Sequence, residues 1–398
     1  MIILGTAAGV KLRSNMPVGS KRIEIGLIVL SETYQHRRIY ILKLLNIVCQ
    51  STDISDSLRA KITGDFNTMT ANARQDDART RATEALSTSL AALCKAASDP
   101  LRLDIMRVLS HDSFGVQELA TIFSMPQPGM SHHLKILSTA GFLATRRQGN
   151  SIFYRRALLK SDSDFPEFQS SLFLSIDSLL LDEIYSQRIL KIYADRSSQS
   201  RLYFEKNVEK FEENQGMLAE LSQYLPNLKE MLDLTALKKS SRVMEVGPGQ
   251  GDLLKELTRR FDQVVALDNS GEMLALTKGK VSSREKIEFV QSSLEDFDAK
   301  DRNFDAVVLN MVLHHMPSPQ HSFQKIREIL VKGGFLLIAD LGSHNQEWAR
   351  ASCGDVWLGF DPQDLKEWAI SSGFSEDQSL YLGLKNGFQI QLRLFRAI

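Results

Sequence analysis

The chain has 398 residues, which is too long for one ordinary hydrophobic core, so its length predicts two or three domains. Its 48 basic and 48 acidic side chains cancel, which excludes a protein that binds polyanions over its whole surface. Three widely separated cysteines provide neither a disulfide framework nor a cluster of metal ligands, so we expect no metal and a reducing, cytoplasmic location. No apolar run approaches the roughly 20 residues of a membrane helix, so we expect no membrane partner.

Residues 1–87 form a poorly patterned N-terminal extension. Two short apolar runs, IEIGLIVL and YILKLLNIVC, lie among scattered charges without caps or turn signals. Met69 then begins a polar stretch that leads into a helical pattern, so one interpretation takes Met69 as the alternative start of the protein. The other interpretation, a small accessory domain before Met69, fits the sequence equally well.

Residues 88–160 predict a domain that binds double-stranded DNA. The stretch GVQELATIFS precedes MPQPGMSHHLKIL at the spacing of a helix-turn-helix, and the second helix turns Met130, Leu134 and Leu137 inwards. The opposite face offers short polar and cationic side chains to a major groove. These predicted DNA contacts are Gln127, Ser131, His132 and Lys135.

A basic hairpin follows that helix. The stretch FLATRRQGNSIFYRRAL alternates apolar and polar residues around a Gly-Asn turn, which is typical of a wing. Arg146, Arg147 and Asn150 of this wing would lie beside DNA phosphates. Between Pro100 and Lys160 there are eight basic and three acidic residues, and this local excess of positive charge also favours DNA.

The rest of the chain divides into two regions. Residues 161–239 contain almost no glycine or proline and repeat apolar residues at helical spacing, which predicts a helical connector that dimerises the protein. Residues 240–398 alternate helical patterns with the apolar runs RVMEV, QVVALD, IEFV, DAVVLN and FLLIAD. These runs predict parallel strands with crossover helices, and therefore a Rossmann-like α/β domain in a multidomain chain.

The first of these strands leads into a glycine loop, MEVGPGQGD. Gly247, Gly249 and Gly251 let the backbone approach a ligand closely. Asp252 stands where a dinucleotide fingerprint would need glycine, which disfavours a pyrophosphate ligand. Asp268 ends the second strand, where a carboxylate can accept hydrogen bonds from both hydroxyls of a ribose.

The stretches AASDPLRLDIMRVLS, VQELATIFSMPQPGMSHHLKIL and GFLATRRQGNSIFYRR resemble the ArsR-type winged-helix regulators over residues 96–156. The resemblance implies a homodimer that binds a palindromic operator. Metal-sensing members carry a cysteine pair where this chain has Val116–Leu119, so we do not expect metal sensing. The sequence also departs from the family at Pro126, where a small capping residue is usual.

The stretches MEVGPGQGD, ALDNSGEML, FDAVVLNMVLHHM and ILVKGGFLLIAD resemble the class I S-adenosylmethionine (SAM)-dependent methyltransferases of type 11. The resemblance implies SAM, or its product S-adenosylhomocysteine, as the ligand. It assigns to the cofactor site Glu245, Gly247, Gly249, Gly251, Asp268, Asn269, Met273, Ser293, Leu294 and Asn310. His314, His315 and Asp340 lie near the predicted cleft mouth as catalytic candidates, although histidines that open a helix more often serve in capping or packing.

Two functional hypotheses follow from this combination. In the first, a transcriptional regulator couples the level of SAM or S-adenosylhomocysteine to operator binding, and its C-terminal domain also methylates a small molecule. In the second, the chain is an active small-molecule methyltransferase whose winged helix controls its own operon. The sequence NMVL follows the fourth strand in place of an N-P-P-Y type tetrad, which argues against methylation of nucleic-acid amino groups.

Overall fold

The computed structural model describes residues 17–18, 21–22, 56–110, 112–149, 151–157, 163–207, 215–281, 286–298 and 303–398. The two N-terminal apolar runs and Asn150, a predicted DNA contact, lie outside these ranges. The chain divides into two compact units, Met1–Ala85 and Leu86–Ile398. Among the helices of the described ranges, none combines the length and the apolar character that crossing a bilayer would require.

The first unit contains two short strands, β1 (Pro17–Val18) and β2 (Lys21–Arg22), which pair antiparallel. Helix α1 (Asp56–Ala97) begins in this unit and ends in the second. Met69 lies inside α1, well away from either end. The alternative start at Met69 therefore stays a prediction.

The second unit begins with the predicted helix-turn-helix and wing. Asp99 caps the first helix, because its side chain accepts a hydrogen bond from the Arg102 backbone N–H. The inward face of the second helix of the motif buries Met130, Leu134 and Leu137 completely, as predicted. The elements are α2 (Pro100–Val108), β3 (Phe114–Gly115), α3 (Val116–Ile122), α4 (Gln127–Thr139), β4 (Leu143–Gln148) and β5 (Ser151–Arg156).

Three helices follow, as the sequence predicts for the connector: α5 (Pro166–Asp177), α6 (Glu183–Asn207) and α7 (Leu221–Leu234). Helix α6 packs against α3 of the winged helix and also against the α/β domain. Its buried face therefore joins two parts of the chain, whereas dimerisation stays a prediction.

The α/β domain is built on a seven-stranded sheet with the strand order β11-β12-β10-β9-β6-β7-β8. Its strands are β6 (Arg242–Val246), β7 (Gln263–Asp268), β8 (Ile287–Gln291), β9 (Phe304–Asn310), β10 (Leu330–Leu341), β11 (Phe374–Gly383) and β12 (Gln389–Ala397). Strands β6 to β10 pair in parallel, which confirms the five predicted runs. The sequence did not predict β11 and β12, which add an antiparallel edge.

Helices cover both faces of this sheet, and each face has its own hydrophobic core. Adjacent residues of one strand serve opposite cores: Val243 packs on one side and Met244 on the other. The helices are α8 (Asp252–Arg260), α9 (Gly271–Lys280), a 3₁₀ turn (Leu313–His315), α10 (Pro319–Ile329), α11 (Trp348–Cys353) and α12 (Pro362–Ser371). Because both faces are packed, ligands find room at the carboxyl ends of the strands.

Candidate functional site

A cleft opens at the carboxyl edge of the sheet. Its empty space, which includes the solvent at its open side, is about 800 Å³. The predicted cofactor residues that line this cleft are Gly247, Gly249, Asp268, Asn269, Met273, Ser293 and Leu294. The glycine loop and the acidic strand end, 21 positions apart in the sequence, therefore border one space.

The glycine loop needs its glycines for conformation and for space. Gly247 has a φ of 66°, and a Cβ atom there would lie 2.3 Å from Cγ2 of Val312. Gly251 has a φ of 80° and precedes α8 as its N-cap. Gly251 is outside the cleft lining, so its contribution is to turn the chain from the loop into the helix.

Glu245 lies one residue before the cleft lining and is 1% exposed. Neither of its carboxylate oxygens has a hydrogen-bond partner within the described part of the chain. Burial, with a smaller contribution from Asp252, holds the pKa of Glu245 well above its ordinary value. An unpaired acid beneath the loop fits a ligand that carries an ammonium group, as the methionine half of SAM does.

Asp268 lines the cleft at the end of β7. Its Oδ1 accepts a hydrogen bond of 2.9 Å from the Ser270 backbone N–H. Burial raises the pKa of Asp268 to about 6, although backbone hydrogen bonds from Ser270 and Asn269 oppose the rise. The backbone therefore holds the carboxylate in place, but its hydrogen bonds only partly offset the cost of burying the negative charge.

Asn310, which was predicted to lie opposite the donor, is not among the residues that line the cleft. Its Oδ1 accepts a hydrogen bond of 2.9 Å from the Tyr224 hydroxyl, and the cleft lining includes the next residue, Met311, instead. Met311 has a φ of 51°, in the left-handed region that costs a residue with a side chain on the order of 1 kcal/mol. Such strain is common at functional sites, but no sequence pattern indicated it.

The three catalytic candidates meet in a buried network behind the cleft. His315 lines the cleft, whereas His314 and Asp340 are fully buried. Nδ1 of His314 lies 2.8 Å from Oδ1 of Asp340, and its Nε2 lies 3.7 Å from Oδ1 of Asp355. Nδ1 of His315 lies 3.1 Å from the Gly354 carbonyl oxygen. A catalytic role for these residues stays a prediction, and His315 is the one placed to meet a ligand.

The cleft also has a wall that the sequence did not predict. Ser197, Ser200 and Phe204 of α6 line it, and the Phe204 ring stands edge-on to His315 with 4.8 Å between ring centres. The sequence indicated only a connector here, because a helical period shows which face is buried and not what covers it.

Arg196, next to this wall on α6, joins three parts of the chain. Its guanidinium donates to Glu118 of the winged helix at 2.6 and 2.8 Å, and to the Ser113 carbonyl oxygen at 3.1 Å. It also donates to the Pro317 carbonyl oxygen at 2.8 Å, and Pro317 lines the cleft. The side chain is 7% exposed, so this is a buried junction between the cleft and the winged helix.

The recognition helix places its predicted DNA contacts at the surface. Gln127, Ser131, His132 and Lys135 of α4 are all exposed. Arg147 of the wing is also exposed, with its Nε donating to the Gly149 carbonyl oxygen at 3.0 Å. DNA binding by these residues stays a prediction that their exposure allows.

Arg146 departs from the prediction of a wing cation that faces solvent. Its side chain is 14% exposed, and its Nη1 lies 3.6 Å from Oδ2 of Asp364 in the α/β domain. Its guanidinium lies 5.6 Å from the ring centres of Trp357 and Phe360. Burial lowers the pKa of Arg146 to about 10, with Asp364 opposing the effect. In this conformation the Arg146 guanidinium contacts the α/β domain instead of standing free on the wing surface.

The whole wing, β4 and β5, takes part in this docking. Arg155 Nη2 lies 2.7 Å from Oδ1 of Asp364, and the Phe153 ring packs on Trp357 with 5.1 Å between ring centres. At the other end of the hairpin, Gln148 is buried and accepts a hydrogen bond of 3.2 Å from Arg350. The wing therefore lies on the α/β domain along its length.

Two families of known domains match the chain. A methyltransferase domain matches residues 244–338, and a helix-turn-helix domain matches residues 97–146. The chain joins a helix-turn-helix domain to a methyltransferase domain. This confirms the predicted fusion and, with the methyltransferase family, SAM as the cofactor of the C-terminal domain.

Individual proteins resemble the methyltransferase domain. A ubiquinone biosynthesis O-methyltransferase of Escherichia coli O6:H1 is 25% identical over 150 residues, which cover 34% of this chain and 62% of that protein. A malonyl-[acyl-carrier protein] O-methyltransferase of a Marinomonas species is 24% identical over 139 residues, which cover 34% and 50%. The chain thus spans between half and two thirds of the length of these relatives.

Among solved structures, the N-methyltransferase NodS of Bradyrhizobium japonicum in complex with S-adenosyl-L-homocysteine is 14% identical. The alignment covers 47% of this chain and 97% of that protein, with a TM-score of 0.38.

Proposed function

We propose that the protein is a DNA-binding transcriptional regulator of the ArsR type, in which SAM or S-adenosylhomocysteine in the methyltransferase domain changes the affinity of the winged helix for operator DNA. It acts as a cytoplasmic homodimer on a palindromic site. Coupling between the two ligands of about 1–3 kcal/mol would change DNA affinity by roughly five- to 150-fold.

The observation that carries this proposal is the shared helix α6. Ser200 and Phe204 form part of the cleft wall, and Arg196, one turn earlier on the same helix, is bound to Glu118 of the winged helix. A ligand that fills the cleft contacts α6 directly. Any movement of α6 reaches α3 through a buried charged junction, which has few alternative arrangements.

The docked position of the wing is one of the two states that regulation needs. Met316 lines the cleft, and its carbonyl oxygen accepts a hydrogen bond of 2.8 Å from the Trp357 indole N–H. The guanidinium of Arg146 in turn lies over the ring of Trp357. A ligand that favours or disfavours this arrangement shifts the wing between docked and released states, and in the released state the wing is available to DNA.

A titration tests the proposal directly. A labelled duplex from the region upstream of the gene is titrated with full-length protein at fixed salt, in the presence of SAM, of S-adenosylhomocysteine or of neither, and binding is followed by fluorescence anisotropy. We expect at least one of the two ligands to change the DNA Kd fivefold or more. Asp268→Ala should bind the duplex without ligand as the wild type does and lose the response. Calorimetric binding of both ligands with an unchanged DNA Kd contradicts the proposal.

A second candidate function is supported by His315. Its Nε2 is buried without a partner in the described part of the chain, and His315 lines the cleft. A neutral imidazole there could take the proton of an acceptor hydroxyl while the cleft holds that oxygen in line with the methyl group. Transfer of labelled methyl from SAM to a small-molecule extract, with no effect of SAM on DNA binding, would favour this enzyme with an autoregulatory winged helix.

A further inference from the structure

Three buried side chains next to the cleft converge on one point. They are His314 and His315 of the 3₁₀ turn and Asp355, which follows α11. One ligand atom of each lies within 4.8 Å of the others. Their exposures are 0%, 8% and 4%, so this group of polar residues is withdrawn from solvent.

Polar atoms of all three side chains lack a hydrogen-bond partner within the described part of the chain. Nε2 of His314, Nε2 of His315 and both carboxylate oxygens of Asp355 are buried and make no hydrogen bond within the described ranges. Each such group left unsatisfied costs roughly 1–3 kcal/mol. Several unsatisfied polar atoms around one point are expensive to bury unless positive charge lies between them, either on a metal ion or as a second proton on His314.

Nδ1 of each imidazole donates a hydrogen bond to an oxygen atom, as the non-coordinating nitrogen does in metal-binding histidines. Nδ1 of His314 donates to Asp340 at 2.8 Å, and Nδ1 of His315 donates to the Gly354 carbonyl oxygen at 3.1 Å. A carboxylate or backbone carbonyl on one ring nitrogen fixes the tautomer and leaves the lone pair of the other for a metal. On each ring, Nε2 is therefore the nitrogen whose lone pair is available to a metal.

The spacing also fits a metal better than a hydrogen bond. Nε2 of His314 lies 3.7 Å from Oδ1 of Asp355, which is too long for a hydrogen bond. Two ligands at about 2.0–2.1 Å from a tetrahedral Zn²⁺ stand roughly 3.3 Å apart. A shift of a few tenths of an ångström would bring these two atoms to that separation, and the third ligand atom, which lies within 4.8 Å of the others, would have to move inwards by up to about 1.5 Å.

We propose that His314, His315 and Asp355 bind a divalent transition-metal ion, for which Zn²⁺ is the best fit. Two imidazoles and one carboxylate suit Zn²⁺, and three protein ligands leave its fourth position open. Because His315 lines the cleft, the open position faces the ligand space and binds water or another oxygen donor. This proposal departs from the expectation of no metal. That expectation was based on the spacing of the cysteines and did not consider two adjacent histidines together with an acid 40 residues later in the sequence.

The site is tested by metal binding alone, without any enzymatic assay. Full-length protein is stripped with a chelator, dialysed and titrated with Zn²⁺ by calorimetry, and bound metal is counted by mass spectrometry. We expect one ion per chain. Asp355→Asn and His314→Gln should each weaken Zn²⁺ binding at least 100-fold, and Asp340→Asn about 10- to 100-fold because it supports a ligand without being one. His321→Gln, which removes a histidine of α10 outside the cluster, should bind as the wild type does.

A spectroscopic measurement guards against variants that fail to fold. Co²⁺ replaces Zn²⁺ in such sites and gives visible absorption bands that report tetrahedral nitrogen and oxygen ligands, while circular dichroism reports folding. We expect these bands in the wild type and in His321→Gln, and their loss in folded Asp355→Asn. Absence of Zn²⁺ binding to the wild type, or binding that both cluster variants leave unchanged, overturns the proposal and indicates that a proton between His314 and the two acids completes the network.

Discussion

Arg146 of the wing and Asp364 of the methyltransferase domain form an ion pair, with 3.6 Å between Nη1 and Oδ2. The second oxygen of the same carboxylate holds Arg155 at 2.7 Å. Asp364 is buried near the N-terminus of α12, so one acid of the methyltransferase domain binds two cations of the DNA-binding wing. Under the proposed function, Asp364 and a DNA phosphate would compete for the same guanidinium groups.

Replacement of Asp364 by asparagine is expected to increase DNA affinity several-fold. Asparagine leaves both guanidinium groups of the docked wing without their charged partner, which destabilises the docked state relative to the released one. Each arginine that then reaches a phosphate should steepen the dependence of log K on log salt by about 0.9. Anisotropy titrations at several salt concentrations measure both effects.

The control for this variant is Asp377→Asn, which removes a carboxylate from the same domain at β11, away from the wing. It corrects for the general change in charge. An Asp364→Asn protein whose DNA affinity and salt slope equal those of the Asp377→Asn protein would show that docking of the wing does not limit DNA binding.

Loss of a cation from the exposed DNA-binding surface is expected to have the opposite effect. Lys135→Ala on α4 and Arg147→Ala on the wing should each weaken DNA binding and reduce the salt slope by about 0.9, because each removes one phosphate contact. Lys325→Ala, on α10 of the methyltransferase domain, is the matched control. If all three variants give the same salt slope, α4 and the wing do not form the DNA interface.

The sequence predicted those parts of the fold whose pattern is local. The five parallel strands are continuous apolar runs because both faces of the sheet are packed. The glycine loop and Asp268 border one cleft because parallel strands end at the same edge of the sheet. The sequence did not predict strands β11 and β12. Strand β11 is largely exposed on alternate residues and lies at the sheet edge, so its apolar run is weak.

The contacts between domains could not be predicted from the sequence. Alternation along β4 separates two faces of the wing, but it does not say that the face with Arg146 meets Trp357 and Asp364 more than 200 residues later. In the same way, the helical period of α6 does not reveal that Phe204 borders the cleft. Burial patterns show that a face is covered, and only the tertiary structure shows by what.

Binding of SAM is expected to weaken in acid because of Asp268. The ribose hydroxyls donate hydrogen bonds, so they require the ionised carboxylate, whose pKa is about 6 in the free protein. The apparent Kd should be constant well above pH 6 and rise about tenfold for each unit below it. Calorimetry from pH 5 to pH 8 measures this dependence, and Asp268→Asn should bind weakly with little change over that range.

The carboxyl group of Asp268 also makes the stability of the free protein depend on pH. The sign of this dependence is opposite to that of an acid in a salt bridge. The folded pKa of Asp268, about 6, lies above the ordinary 3.8, so the folded state binds the proton more tightly than the unfolded chain. The penalty from Asp268 is fully present above pH 6 and is relieved as the pH falls towards 3.8. Asp268→Ala should therefore melt no lower than the wild type at pH 7, while its SAM affinity falls at least tenfold, because two hydrogen bonds to a charged acceptor are lost.

Glu118→Gln is expected to weaken the junction between the cleft and the winged helix. Glutamine can keep the hydrogen bond that the Gly115 backbone N–H donates at 2.8 Å, so the start of α3 is preserved. It cannot match the charged contacts of 2.6 and 2.8 Å from Arg196, and the loss should lower the free energy of unfolding by about 1–3 kcal/mol.

The decisive readout for Glu118→Gln is the ratio of DNA Kd values with and without ligand. If α6 transmits occupancy of the cleft through Arg196, this ratio should move towards one. The SAM affinity, measured by calorimetry, should stay close to that of the wild type because Glu118 lies outside the cleft lining. Glu328→Gln, on the exposed face of α10, controls for the lost charge. A Glu118→Gln protein that is less stable but keeps the full ratio would place the coupling elsewhere, with the Met316 and Trp357 contact to the wing as the remaining route.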